Sequence, residues 1–257
     1  MTWICDGDQR QGSRRRQEDR WNMWHEGNRL LAVVADGMGG MPLGAEAAEE
    51  AVKTAGTIFQ ERSFREEDPA ALLFAVASGT DRAVWDMAAK EGLPGSVGTT
   101  LVAALTEGNS AWWVSVGDSR VYLFRKGLLK QLSRDHTVKE ELRERHRRGD
   151  APERNALLWS PPEAITSFIG RGRLEKVSRS ERPFSAGEGD CLLLASDGLF
   201  NTLSSQAMLS CLKGAPTDAA HALVREALAA ANPYQDNVTA VTLTFMPSSQ
   251  LSETAGN

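Results

Sequence analysis

The order of apolar patterns along the chain predicts an α+β fold, with two antiparallel sheets packed together and helices outside. Two observations carry this. Strand-length runs are separated by short turns such as Glu26-Gly27-Asn28, Glu107-Gly108-Asn109 and Lys126-Gly127, and short turns demand antiparallel pairing. Two helical patterns come early and one late, with strands grouped between them, unlike the regular βαβ alternation of a doubly wound sheet.

Trp21 to His25 and Arg29 to Ala35 read as the first pair of strands. A Gly-rich loop follows, then a helix from Leu43 to Glu61, where Ala48, Val52, Ala55 and Phe59 mark one apolar face. A second helix spans Pro69 to Lys90. Proline suits its first turn, and Leu73, Val76, Thr80, Val84 and Met87 form its inner stripe. Gly92-Leu93-Pro94-Gly95 ends it. A meander follows through Thr99 to Leu105, Ala111 to Val116, Arg120 to Phe124 and Leu128 to Leu132. His136 to Arg148 is charged and helix-like, and Gly149 to Pro162, rich in proline and charge, reads as a surface insertion. Late strands are expected at Leu174 to Val177, Cys191 to Ala195 and Val238 to Phe245. A last helix from Thr217 to Ala231 is expected to turn Ala220, Leu223, Val224, Ala227 and Leu228 inward. The tail, 247–257, is small and polar and is expected to be flexible.

The bulk properties narrow the function. The 257 residues suit one large domain, and a net charge of −5 disfavours nucleic acid as a partner. The three cysteines, Cys5, Cys191 and Cys211, form no C-x-x-C pair and read as thiols in a reducing compartment. No apolar stretch approaches the ~18 residues needed to span a bilayer, and the N-terminus is too polar for a secretory signal. A cytoplasmic protein, monomeric by default and not membrane-bound, is expected.

Four apolar runs end at, or begin beside, an acidic residue next to a small or turn-forming one. Leu30 to Ala35 runs into Asp36-Gly37, Trp112 to Gly117 into Asp118-Ser119, and Leu192 to Ser196 into Asp197-Gly198; Asp236-Asn237 precedes the run from Val238 to Leu243. Carboxylates at strand ends can converge on one edge of a sheet, and like charges gather only where something positive holds them. Hard divalent cations, and through them metal-assisted hydrolysis, are the chemistry to expect. A two-metal phosphoester hydrolase needs carboxylates to hold cations roughly 3.5–4 Å apart. It also needs a forked guanidinium for the phosphate oxygens. Glu18 and Asp19, following the basic stretch Arg14-Arg15-Arg16, add to the acidic set, and Gly37 lets a carbonyl approach an ion.

Seven blocks in order carry a resemblance. They are Arg14-x-x-x-Glu18-Asp19, Asp36-Gly37-Met38-Gly39-Gly40, Gly98-Thr99-Thr100, Val116-Gly117-Asp118-Ser119-Arg120, Asp135-His136-Thr137, Ser196-Asp197-Gly198-Leu199 and Asp236-Asn237-Val238-Thr239. Together they resemble the bacterial branch of the metal-dependent type 2C protein serine/threonine phosphatases, over residues 12 to 245. The resemblance implies a four-layer α-β-β-α sandwich forming one catalytic domain over 1–246, with a flap-like insertion at about 139–170. It implies two Mn²⁺ or Mg²⁺ ions, with a weaker third possible. Asp36 would bridge the pair, Asp197 and Asp236 would hold the first ion, and Glu18 and the Gly37 carbonyl the second. Asp19 would orient water, Asp118 would reach the third ion with Asp197, and Arg14 would clamp the phosphate. Phosphoserine or phosphothreonine would be hydrolysed by a water bridging the metals. The implied partners are phosphorylated proteins, including a cognate Ser/Thr kinase and its targets.

The chain departs from the family pattern in places. Met38 and Met41 stand where some members carry a histidine thought to protonate the leaving group, which leaves metal-bound water for that task, or else His136, although Asp135-His136 reads rather as part of a structural loop. Asn201 stands where an acid usually helps the third ion, so that site is expected to be weak or absent. The run Arg145-His146-Arg147-Arg148 is either a solvated helix face or a docking site for acidic phosphopeptides. Rival chemistries lack their motifs. No cysteine is followed by Arg at the Cys-x5-Arg offset, the four histidines are scattered, and there is no phosphate-binding G-x-x-x-x-G-K-[ST] loop. The alternative is a catalytically weak phosphatase fold kept as a sensor or scaffold.

Overall fold

The chain, seen in a computed structural model, is described over residues 2–38, 43–63, 68–150 and 160–247. The strands are β1 (Thr2–Arg10), β2 (Asp19–Glu26), β3 (Arg29–Asp36), β4 (Leu101–Glu107), β5 (Ser110–Val116), β6 (Arg120–Arg125), β7 (Leu128–Gln131), β8 (Ser178–Arg179), β9 (Phe184–Ser185), β10 (Cys191–Ala195) and β11 (Val238–Met246). The helices are α1 (Gly44–Ser63), α2 (Pro69–Lys90), α3 (Val138–Arg148), α4 (Asp197–Phe200), α5 (Ser205–Leu212) and α6 (Ala219–Ala229).

Alternation along the central strands sets the layers. In β3, Leu31, Val33 and Ala35 face α1 and α2, where they meet Ala48, Ala55, Phe59, Leu72 and Val76. Leu30, Ala32 and Val34 face the other way, against Leu192, Leu194, Val241 and Leu243 of the second sheet. A strand covered on both faces reads as an unbroken apolar run. On the far side, Leu193, Ala195, Val238 and Ala240 pack on α5 and α6 through Met208, Leu223 and Val224. The result is four layers: helices, sheet, sheet, helices. One sheet runs β1-β11-β10-β6-β7 and the other β2-β3-β4-β5-β8, with β9 also pairing with β5, all antiparallel. Each fully buried Leu or Val in these layers contributes about 1.5–3 kcal/mol.

Several expectations need correcting. The strands 99–132 do not form one meander: β4 and β5 belong to one sheet, β6 and β7 to the other, and Gly117-Asp118-Ser119 carries the chain across. The strand expected at Leu174 to Val177 lies at Ser178–Arg179; Leu174 and Val177 instead pack against the α1/α2 core. The last helix is shorter, with a 3₁₀ turn at Pro216–Asp218 before it, and Leu228 is exposed. β1, α4 and α5 were not expected. The basic run of α3 is largely neutralised on its own helix: Arg147 pairs with Glu140 at 2.9 Å and Arg148 with Glu144 at 2.7 Å. Gly39, Gly40, Met41, the middle of the insertion (151–159) and the tail from 248 onward lie outside the described residues. Among the described residues, no helix is long and apolar enough to cross a membrane.

Candidate active site

Asp19 opens β2 and Asp36 closes β3, and the two are direct cross-strand partners. Asp118 sits in the crossing between sheets, Asp197 starts α4 just beyond β10, and Asp236 immediately precedes β11. Strand ends from both sheets therefore meet at one edge. There they line a cleft of about 220 Å³ with Arg14, Glu18, Asp36, Gly37, Asp118, Asp197 and Asp236 on its walls. Of the residues expected to hold ions or phosphate, Asp19 does not line it; it is buried behind.

The backbone around Asp36 is held tightly. Its N–H donates to Thr100 Oγ1 at 3.0 Å, and its carbonyl accepts from the Thr100 N–H at 2.8 Å and from Thr99 Oγ1 at 2.9 Å. Thr100 Oγ1 also shares a hydrogen bond with Ser119 Oγ at 2.7 Å, which ties the Asp36 and Asp118 loops together. Gly37 is required by proximity: a Cβ there would lie 2.3 Å from the Gly44 carbonyl oxygen. Gly198 has the same constraint, its Cβ position lying 2.0 Å from the Asn237 carbonyl oxygen. Asn237 serves the Arg14–Glu18 loop as well as its own. Its Oδ1 accepts from the Glu18 N–H at 2.8 Å, and its Nδ2 donates to the carbonyls of Gln11 and Arg16. Ser196 Oγ and Thr239 Oγ1 both donate to Asp19 Oδ2, at 2.7 and 2.6 Å.

The electrostatics are strained in one direction. Burial pushes the Asp36 carboxyl well above the usual range, and repulsion from Asp19, Asp197, Asp118 and Asp236 adds to it. Burial, then Asp118 and Asp236, push Asp197 up to about 7, and burial pushes Asp19 and Asp118 up to about 6. The hydroxyls of Thr239 and Ser196 hold Asp19 back from rising further. Arg14 is the one cation on the walls among the described residues, and its Nη2 lies 2.5 Å from Asp236 Oδ2.

His136 does not line the cleft. It is buried, its Nδ1 accepts from the Gly117 N–H at 3.1 Å, and its own N–H donates to the Gly117 carbonyl at 2.9 Å. Burial pushes its pKa down to about 4, so it is a neutral clip for the Asp118 crossing. Asp135 accepts both arms of the Arg120 guanidinium, which lies over the Phe200 ring, and anchors the same crossing. Asn201 donates from Nδ2 to Asp197 Oδ2 at 3.1 Å. Sequence reasoning missed Glu163 and Ile165, which come from the insertion to the cleft wall. No local pattern marks them.

A hard divalent cation fits this donor set. Five carboxylates of the walls, those of Glu18, Asp36, Asp118, Asp197 and Asp236, offer hard oxygen donors, the buried ones repel one another, and buried Asp19 Oδ1 has no hydrogen-bond partner. Among the described residues no three acidic, His or Cys side chains are already closed into a metal shell. Asp236 and Asp197 instead turn an oxygen to Arg14 and Asn201.

The protein phosphatase 2C family model matches residues 6–232. A serine/threonine phosphatase, stp, of Listeria monocytogenes is 31% identical over 232 residues, 88% of this chain and 89% of the relative. The crystal structure of the Mycobacterium tuberculosis serine/threonine phosphatase PstP/Ppp superposes with a TM-score of 0.78 at 28% identity, covering 96% of this chain and 100% of that one. A PstP catalytic domain in complex with 2 manganese ions gives a TM-score of 0.75 at 28% identity, covering 95% and 99%.

Proposed function

This chain belongs to the protein phosphatase 2C family, an enzyme family of protein phosphatases, and from that premise we propose that it hydrolyses phosphoserine and phosphothreonine in proteins with two Mn²⁺ or Mg²⁺ ions. The observation that carries the reading is the meeting of Asp36, Asp118, Asp197 and Asp236, brought from both sheets, on one cleft with the Arg14 guanidinium. Like charges so placed call for cations. When bound, the cations supply charge neutralisation at the phosphoryl group and acidify a water for in-line attack.

The chain's own residues do the rest. Asp36 would serve both ions, Asp197 and Asp236 would hold the first, and Glu18 with the Gly37 carbonyl would hold the second. Asp118 with Asp197 offers a third, weaker position. Asp19, with one oxygen held by two hydroxyls and the other unpartnered, would orient a water at the metals. Arg14 reaches the same space as Asp236 and offers its fork to the phosphate oxygens. The domain spans 1–246, with residues 139–170 as the flap, and a cognate Ser/Thr kinase and its targets are the proposed partners.

The test is hydrolysis of p-nitrophenyl phosphate with Mn²⁺. We expect activity that EDTA abolishes and that Asp36→Ala lowers by at least about a thousandfold, since one change removes a ligand of both ions. Activity surviving Asp36→Ala would defeat the assignment, and a folded, cation-binding protein without activity would favour a sensor or scaffold.

A further inference from the structure

Glu163 lines the cleft from the insertion side but belongs to no proposed ion position. Its place is built into the backbone. The Lys139 N–H donates to the Pro162 carbonyl at 2.8 Å, the Val138 N–H to the Ala164 carbonyl at 3.0 Å, and the Thr166 N–H to the His136 carbonyl at 2.8 Å. This ladder fastens residues 162–166 to the start of α3, and His136 fastens that start to the Asp118 crossing. The Glu163 side chain is 73% exposed, with Lys139 Nζ 3.0 Å from its Oε1. It also adds to the repulsion on Asp118.

We propose that Glu163 is a specificity-determining residue that favours phosphoserine and phosphothreonine sites with a Lys or Arg beside the phosphorylated residue and disfavours sites with acidic neighbours. The inference rests on the phosphatase reading and deepens it. The carboxylates on the cleft floor are committed to cations and the phosphate to Arg14, so the charge facing the neighbouring substrate residue is that of the rim. Glu163 is an exposed carboxylate on that rim, and Ile165 beside it is neutral. Of the α3 arginines, whose run from sequence suggests attraction of acidic peptides, Arg143 and Arg147 are turned to Glu140 and Arg148 to Glu144. An exposed charge pair changes kcat/KM by about two- to fivefold. Exchanging a basic neighbour for an acidic one should therefore change it about tenfold.

The experiment uses two phosphothreonine peptides that differ only in Lys or Glu beside the phosphothreonine, with Mn²⁺ and the full chain. The ratio of their kcat/KM values is internal to each preparation, so a partly folded variant still reports it. Wild type should favour the Lys peptide about tenfold, Glu163→Gln should reduce the ratio to about threefold or less, and Glu163→Lys should bring it to one or invert it. Lys139→Gln, which frees Glu163 from its partner, should widen the ratio. An unchanged ratio in active Glu163→Gln and Glu163→Lys enzymes overturns the proposal. So does a change that follows only a raised Mn²⁺ requirement, since that makes Glu163 a cation holder. Absence of Mn²⁺-dependent hydrolysis of both peptides by wild type removes the phosphatase reading and this one with it. An unchanged ratio in an active enzyme removes only this one.

Discussion

Asn201 shows how one atom can change a site. Its amide donates to Asp197 Oδ2, so it neither adds negative charge nor leaves that oxygen free. Asn201→Asp should raise Mn²⁺ affinity at the third position by about tenfold, because a charged oxygen replaces a neutral amide at a hard cation. Calorimetric titration checks this: an unchanged stoichiometry and affinity would contradict it. The six acidic residues were legible because each stands next to a glycine, a turn or a strand end, where sequence carries positional meaning. The parts that hold them were less so. Thr100 was visible as one of a Gly-Thr-Thr block, but nothing in the block says that its hydroxyl joins the backbone of Asp36 to Ser119. Asn237 reads as a neighbour of Asp236, yet it secures a loop more than two hundred residues earlier in the chain, a relation set only by tertiary contact.

At the scale of elements, α2 controls the return of the insertion. Asp81, buried on its inner face, accepts from the N–H groups of Gly170 at 2.8 Å and Arg171 at 3.0 Å. The neighbouring Ile169 bridges to Thr99, which bridges to Gly37. Asp81→Ala would leave two donors unsatisfied and should destabilise the protein by about 2–4 kcal/mol, read from urea denaturation; a cost below about 0.5 kcal/mol would show that water replaces the carboxylate. Elements with a regular period were readable: the α1 stripe Ala48, Val52, Ala55 and Phe59 is buried. β1 was not, because Asp6, Gly7 and Asp8 interrupt it with residues that strands disfavour. The interruptions have tertiary causes. Asp6 Oδ2 accepts from the first N–H groups of α6, and Gly7 makes room for the Trp21 ring, 2.5 Å from where a Cβ would stand.

For the whole molecule, pH and cations act through the same groups. Unfolded carboxylates titrate near about 3.9, while Asp19 and Asp118 are raised to about 6, Asp197 to about 7, and Asp36 is raised as well. Between those values the native state holds protons that the unfolded chain has released, so metal-free stability falls as pH rises through about 4 to 7 and levels off above. His136, lowered to about 4, acts in the opposite direction, and the lowered carboxyls of Glu141, Glu144 and Asp218 do so at the acid end, below the window where the raised cleft carboxyls titrate. Thermal melts in EDTA should therefore show Tm declining over that window, and Tm rising instead would refute the account. Mn²⁺ at about a hundred times Kd should restore about 2.7 kcal/mol near neutral pH and little near pH 5, where the ligands are protonated. The pairing of β1 with β11 has a consequence for how the molecule comes into being. Their register runs from Thr2 opposite Met246 to Arg10 opposite Val238, so this edge strand finds its partner only after the whole chain between the two has been made. Asp236 and Asn237 arrive with that partner. A chain stopped before Asp236 therefore lacks both the partner of β1 and one carboxylate of the cleft, and a premature stop leaves sheet edge and cleft incomplete together.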